Sequence, residues 1–568
     1  MKKYILSILA IATGLGFATS CIEEIDPQST TVTSGQASNA IGSYDNFVSA
    51  ITSTLSGNFN YVGNSAADTK KTSFAEDFGY SSFYLQRDVM GNDIAYIDGG
   101  PYTTWYTCGT GLGPMYANCQ IPWTVYYGWI KNCNTVISLA GDEPSEQHKA
   151  GAGIAHAMRA LFYMELAQMF APRTYAADAD APTVPIVTEK TSLEMAANNP
   201  RATNKEIWNN LIIPDLDEAE KYLEGYTRPD KTTPDLSVVY GLKARAYLVM
   251  ENWEDAEKYA KMAKAGYSLL TDAQYNDRAT GFNTPDGNSS WMLCTKFKSD
   301  DYNILDNDAD SSWGSIMILE MTTGMGYGNA YGYPMMMDRH LYETIPATDF
   351  RKKAFLDFAL DDIDEDHRNE LVQELEKYSD YPDALIGTAA SNALGTFGGL
   401  SVKFRATGGE AGHASQYIGY CVAVPMMRVE EMYLIEAEAA GMQSEARGIQ
   451  LLTDFAKTRD AIYTYGTHKD AYNNQSTPAF QNEVWWQRRV ELWGEGFATF
   501  DVKRLQKGII RSYAGSNHAE GYRWNTNSVP QWMTLCIVGG TEADVNTALI
   551  NNPTPEQPQG DSPEYSWK

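Results

Sequence analysis

The sequence predicts a mostly α-helical protein: tetratricopeptide-like helical hairpins form a scaffold that carries long inserted loops. Three observations carry this. Apolar residues recur at helical spacing through most of the 568 residues. The stretches Leu236–Leu270 and Met426–Thr458 each read as two helices joined by a short turn. Two long segments, rich in Gly and aromatic residues, break the helical period.

Composition sets the outer bounds. Apolar residues make up 43% and charged residues 20%, enough apolar content for a sizeable core. The net charge of −28 repels phosphate backbones, so nucleic acid is not an expected partner. Aromatic content is high, with 13 Trp, 36 Tyr and 19 Phe, more Tyr than a core needs.

The N-terminus has the layout of an export signal over 1–20. Met1-Lys2-Lys3 is positive, Ile5 to Ala18 is a 14-residue apolar run, and Ala18-Thr19-Ser20 places small residues before Cys21. Small residues directly before a Cys resemble a bacterial lipobox, which makes Cys21 the expected lipidation site. Acyl chains anchor through about 0.8 kcal/mol per buried methylene. Glu23, Glu24 and Asp26 follow, as in the export signal of Bacteroidetes surface lipoproteins, and 21–40 reads as a lipidated Cys with a flexible Ser/Thr/Gly tether.

A single domain is expected over 41–550. Ile154 to Phe170 carries apolar residues at 154, 158, 161, 162, 166, 169 and 170, one face of a helix. Glu206 to Leu223 is a second helix, with a kink or break at Pro214. Tyr240–Leu248 and Asp255–Ala263 flank a turn at Glu251-Asn252-Trp253. Met426–Met442 and Glu445–Thr458 form another hairpin, and Val484–Leu505 one more long helical stretch. Hairpins of this kind bury their faces by stacking on one another. Asn551–Lys568, rich in Pro, reads as a loose tail over 551–568.

The insertions are placed at 79–122 and 281–334. Gly79 to Trp129 holds 12 aromatics and eight Gly but only four charged residues. Gly281 to Pro334 ends in the Tyr/Gly run 324–333. Loops this long usually carry function. Six Cys follow Cys21 without metal-ligand spacing, and a Cys108–Cys119 bridge or buried free thiols both remain open.

Four motifs, in order along the chain, resemble one family. They are WTVYYGWIKNCN at 123–134, HAMRALFYMELAQMF at 156–170, RVEEMYLIEAEA at 428–439 and QRRVELWGEGFATFDVKR at 487–504. The chain resembles the SusD/RagB-type nutrient-binding outer-membrane lipoproteins of Bacteroidetes. Gln487 and Gly494 depart from the family pattern, where a Glu and an aromatic are usual. The resemblance implies about four tetratricopeptide-like hairpins as scaffold, with the inserted loops forming the ligand side. It also implies a surface-exposed, lipid-anchored lid on a TonB-dependent (SusC-like) outer-membrane barrel, binding oligosaccharide and not catalysing a reaction. Arg159, Arg428, Glu431, Arg489, Glu491, Glu495, Asp501 and Arg504 then read as scaffold ion pairs.

Aromatic rings suit the apolar faces of pyranoses. The expected ligand residues are Tyr102, Trp105 and Tyr106, with Trp291, Trp313, Tyr327, Tyr331 and Tyr333, and Asp93 and Asp98 to accept sugar hydroxyls. No cofactor is expected. Asp306, Asp308 and Asp310 have the opening spacing of a calcium loop, although Ser311 and Met317 stand where Gly and a bidentate Glu belong. The alternatives are a peptide-binding member of the same family and a glycoside hydrolase, whose carboxyl pair must stand about 5–9.5 Å apart.

Overall fold

The structure is a computed structural model. It describes residues 44–59, 74–279, 282–285, 288–363, 365–388, 394–468, 477–540 and 542–567. The export signal, Cys21 and the tether lie outside the described residues. The chain divides into two units, 1–47 and 48–568, and the second carries all that follows.

Its main helices are α1 Tyr80–Val89, α2 Ala117–Ala140, α3 Lys149–Phe170, α4 Ile213–Tyr222, α5 Leu236–Met250, α6 Trp253–Ala263, α7 Val429–Gln443, α8 Glu445–Ala456, α9 Ala479–Glu491 and α10 Ala498–Arg504. In the helical layer α2 packs on α3, α3 on α4, α5 on α6, α6 on α7, and α7 on α8 and α9. The α5–α6 turn shows why the chain reverses there. Glu251 closes α5 in the left-handed conformation (φ 55°), and Asn252 caps α6 by accepting from the Asp255 N–H. Between α7 and α8 the backbones touch: a Cβ on Gly448 would stand 2.2 Å from the Gly441 Cα. Leu434, Ala437, Leu452, Phe455, Phe480 and Val484 fill the core around that contact.

Several elements differ from the sequence expectation. The break expected at Pro214 is a π turn, Trp208–Ile212, which leads into α4 with Pro214 in its first turn. Met426–Arg428 is not helical. It ends strand Ala423–Arg428, which pairs antiparallel with Trp291–Lys296. Val484–Leu505 is interrupted at Gly494 and Gly496, both left-handed (φ 74° and 84°). A Cβ at Gly494 would press on Phe404 at 3.1 Å, so the departure from an aromatic is required by this turn. The segment 79–122 is not all loop, since it contains the fully buried α1 and the start of α2. The tail is tied down: Tyr565 donates to the Ser512 carbonyl at 2.8 Å, and Trp567 stacks on His340 with ring centres 3.5 Å apart.

The charged motif residues form a buried network. Glu491 lies among Arg351, Arg428 and Arg459 at 3.2, 3.2 and 3.1 Å, all without solvent exposure. Arg428 also reaches Glu495 at 2.9 Å, Arg159 pairs with Asp215 at 2.7 Å and Arg245 with Glu431 at 2.7 Å. Arg504 pairs with Glu438 at 2.5 Å and with Asp501 at 3.0 Å. Gln487, in place of the expected Glu, accepts from Arg351 at 2.9 Å. Such pairs fix the geometry of the interior more than they stabilise it. A second core, around Leu319, Met336, Leu356, Leu371, Leu400 and Val402, supports the loop side.

Candidate functional site

The first group of expected ligand rings is interior. Tyr102, Trp105 and Tyr106 sit at the short helix Thr103–Thr107, and Trp105 is 1% exposed. Tyr102 bonds Ser82 through its phenol at 3.0 Å, and its ring packs on Trp105 at 5.6 Å. The Tyr106 phenol meets His518 Nδ1 at 3.0 Å while the Arg511 guanidinium lies 4.5 Å from its ring centre. None has a free face for a sugar. Their apolar area is spent on attaching the loop to the scaffold.

The same correction holds for Trp291 and Trp313. Trp291 lies in its strand against Phe282 at 5.7 Å, and Trp313 packs edge-on against Phe404 at 4.8 Å, both fully buried. Asp93 is also interior and holds Arg489 Nε at 2.8 Å and Nη2 at 2.6 Å. It is a scaffold carboxylate.

The remaining four expected residues do come together at the surface. Tyr327 lies 5.2 Å from Tyr331 and 6.4 Å from Tyr333, ring centre to ring centre. The Tyr333 ring covers Gly99 and Gly100, next to Asp98. A Cβ on Gly100 would stand 2.7 Å from Tyr333 Cδ1 and 2.2 Å from the Tyr96 phenol, so only glycine admits this approach. Asp98 is exposed and accepts from the Tyr522 phenol at 2.9 Å. The two Gly-rich segments therefore meet here.

The tyrosine loop is clamped from beneath. Gly328 donates to the Ser315 carbonyl at 2.8 Å, Tyr327 N–H to Ser315 Oγ at 3.0 Å, and Tyr333 N–H to the Tyr327 carbonyl at 3.0 Å. Gly324, Gly326 and Gly332 take left-handed backbone (φ 65°, 98° and 80°), which bends the run enough to bring three rings to one place.

Carboxylates line the other side of the rings. Asp310 accepts from the Tyr331 phenol, and its Oδ1 has no partner among the described residues. Burial pushes its pKa up to about 6. Asp308 accepts from the Tyr417 phenol at 2.9 Å. Asn307, Asp308 and Ala309 are all left-handed (φ 46°, 56° and 60°), a strained turn that presents Asp308. Glu76, half-buried near Tyr327, is pushed up to about 7 by burial.

The result is an arc running Tyr417, Asp308, Asp310, Tyr331, Tyr327, Tyr333, Asp98, Tyr522. Tyr331 is 43% and Tyr417 39% exposed. Tyr302, 50% exposed, adds a ring beside it and bonds Asp306. Tyr302, Tyr417, Tyr522 and Glu76 are absent from the sequence expectation. Tyr417 and Tyr522 lie outside both aromatic-rich segments, so composition gives no sign of them.

The carboxylates with calcium-loop spacing lie at the same place. Asp306, Asp308 and Asp310 each turn to a different tyrosine. No group of three or more His, Cys, Asp or Glu among the described residues is arranged to hold a metal ion. A separate cavity of about 50 Å³ between α1, α3, α5, α9 and α10 shares no residue with the arc. Its arginines largely face carboxylates of the scaffold: Arg245 meets Glu431, and Arg488 Nε meets Asp501 at 2.6 Å.

No described helix is long and apolar enough to cross a membrane. A family model described as "Starch-binding associating with outer membrane" matches residues 113–248, and one described as "SusD family" matches residues 259–536. No curated protein matches. Among solved structures, a SusD-like carbohydrate binding protein from Bacteroides vulgatus shares 21% identity and a TM-score of 0.67, over 89% of this chain and 97% of that one. A laminarin binding SusD-like protein shares 18% and 0.58, over 90% and 99%. Surface glycan-binding protein A from Bacteroides thetaiotaomicron, in complex with laminarihexaose, shares 16% and 0.60, over 90% and 99%. At these identities the likeness is one of fold.

Proposed function

The chain belongs to the SusD family, and from that premise we propose that it is a lipid-anchored surface protein that binds oligosaccharide along the tyrosine arc and delivers it, as a lid, to a TonB-dependent outer-membrane transporter. The observation that carries the binding role is the exposed ring of Tyr331 with the half-buried rings of Tyr327 and Tyr333, beside Asp310, whose buried Oδ1 has no hydrogen-bond partner among the described residues. Rings stack on pyranose C–H faces, and the carboxylates accept hydroxyls.

Three or four such contacts, at about 0.5–1.5 kcal/mol each beyond burial, give millimolar to micromolar binding and allow release to a transporter. The neighbours that bind laminarin and laminarihexaose make a β-glucan oligosaccharide the first probe. The anchor reading is supported by the small residues before Cys21, and the outer-membrane reading by the family description.

The protein is a binder and not a hydrolase in this reading, because Asp98 and Asp308 each accept from a phenol and Asp310 accepts from Tyr331. Isothermal titration with laminarihexaose and a panel of other oligosaccharides tests the binding role, with assay for new reducing ends in the same samples. Binding without new ends supports the reading, and hydrolysis contradicts it.

A further inference from the structure

Two cysteines far apart in the sequence meet in the fold. Cys119 stands in the first turn of α2, and Cys536 lies just after the short turn Gln531–Met533. Both are fully buried, and their thiols share a hydrogen bond. The main chain holds the two segments together where Gly539 N–H donates to the Pro114 carbonyl at 2.8 Å, while Leu535 N–H ties the second segment to α3 through the Met169 carbonyl at 2.9 Å. Ile537 N–H is fixed by Asn551 Oδ1 at 2.7 Å. Each of the two thiols also has a main-chain carbonyl beside it: Leu112 at 2.9 Å from Cys119 Sγ, and Asn552 and Pro553 at 3.6 and 3.5 Å from Cys536 Sγ, as Trp105, Lys231 and Tyr417 stand beside Cys108, Cys294 and Cys421. The Cys108–Cys119 bridge left open by the sequence is not formed, and the six described cysteines are free thiols in this structure.

We propose that Cys119 and Cys536 are joined by a disulfide in the exported protein. The proposal rests on the envelope location argued above, because a disulfide persists only outside the reducing cytoplasm. Neighbouring thiols form a bond of about 2 Å by turning from their carbonyl partners toward one another.

The oxidant is a protein thiol oxidase of the envelope that carries a disulfide. Cys536, whose thiol is the more acidic because it shares the hydrogen bond with Cys119, loses its proton and attacks one oxidase sulfur. One oxidase thiolate leaves and takes a proton. Cys119 then gives up its proton and displaces the second oxidase sulfur from Cys536. The chain has lost two electrons and two protons, and the oxidase leaves as a dithiol. Both sulfurs are buried in the folded chain, so the exchange precedes docking of 535–539. The bond ties the C-terminal segment to α2 and closes a loop that contains most of the domain.

The test takes the full-length protein from the membrane fraction of its own cells, unfolds it in guanidinium with iodoacetamide and no reductant, and maps its peptides. The expected result is one linked peptide pair, lighter by two hydrogens, holding Cys119 and Cys536, with Cys108 and Cys133 alkylated. Alkylated Cys119 and Cys536 on separate peptides overturn the proposal. Fractionation of the same cells reads the location independently. If the chain is absent from the membrane fraction, the location reading fails, and refolding of purified chain with glutathione disulfide then decides the pairing: the linked pair supports it and two alkylated thiols overturn it. In Cys536→Ser the linked pair disappears, and in Cys133→Ser it persists. Reductant lowers the unfolding midpoint of the parent and leaves that of Cys536→Ser unchanged.

Discussion

The rings of Tyr327 and Tyr331 stand 5.2 Å apart at an interplanar angle of 59°, on a loop clamped to Ser315 and bordered by Asp310. This pair forms the centre of the arc. It presents two tilted aromatic faces, whereas Tyr102, Trp105, Tyr106, Trp291 and Trp313 of the same segments are turned inward.

Removing one of these rings therefore weakens binding without unfolding the protein. Tyr331→Ala is expected to reduce oligosaccharide affinity roughly two- to twelve-fold, the equivalent of about 0.5–1.5 kcal/mol. Its thermal midpoint stays close to the parent's, since the side chain is 43% exposed. Titration calorimetry and thermal unfolding read the two effects separately.

Trp105→Ala behaves in the opposite way. The ring is enclosed and packs on Tyr102, so the substitution leaves a cavity and costs about 3–5 kcal/mol. Chemical denaturation followed by circular dichroism is expected to show a lowered midpoint. A variant as stable as the parent contradicts the packing described above.

Binding is expected to depend on pH through Asp310. Burial raises its carboxyl to about 6, so between pH 7 and 5 it gains a proton and loses acceptor capacity toward Tyr331 and the ligand. Affinity falls over that range in the parent and falls less in Asp310→Asn, where Glu76 near Tyr327 is the carboxyl left to titrate. Titrations at pH 7, 6 and 5 check this.

Glu491 governs acid stability with the reverse sign. Despite its burial, Arg459, Arg428 and Arg351 hold its carboxyl well below the ordinary value of 4.5. Its contribution is thus present above pH about 4.5 and is lost as pH falls toward the folded value, because the unfolded chain takes up the proton first. Glu491→Gln leaves three buried guanidinium groups undercompensated and costs about 3–5 kcal/mol at neutral pH. The difference between parent and variant narrows below pH 4.5, as measured by denaturant midpoints across pH.

The scaffold was largely legible because amphipathic helices write their packing into the 3.6-residue period. Ile154–Phe170 falls within α3, and Tyr240–Leu248 within α5. The strand Ala423–Arg428 escaped because all six of its residues are buried, which leaves no alternation to read. The site was legible only in part. Tyr331 and Trp105 both sit in Gly-rich, aromatic-rich sequence, and nothing local distinguishes the ring that seals a loop from the ring that faces solvent. Burial there is decided by distant partners such as Arg511 and His518. The spacing of Asp306, Asp308 and Asp310 fits a metal loop on paper, but the left-handed turn at 307–309 sends the three carboxylates to three tyrosines.

The most direct test of the account is a glycan array probed with the parent and with Tyr327→Ala/Tyr331→Ala, both confirmed folded by thermal unfolding. The account predicts that the parent retains a defined set of oligosaccharides and that the double variant loses them by tenfold or more at an unchanged melting midpoint. Equal retention by the two proteins, or a parent that retains no glycan, contradicts it.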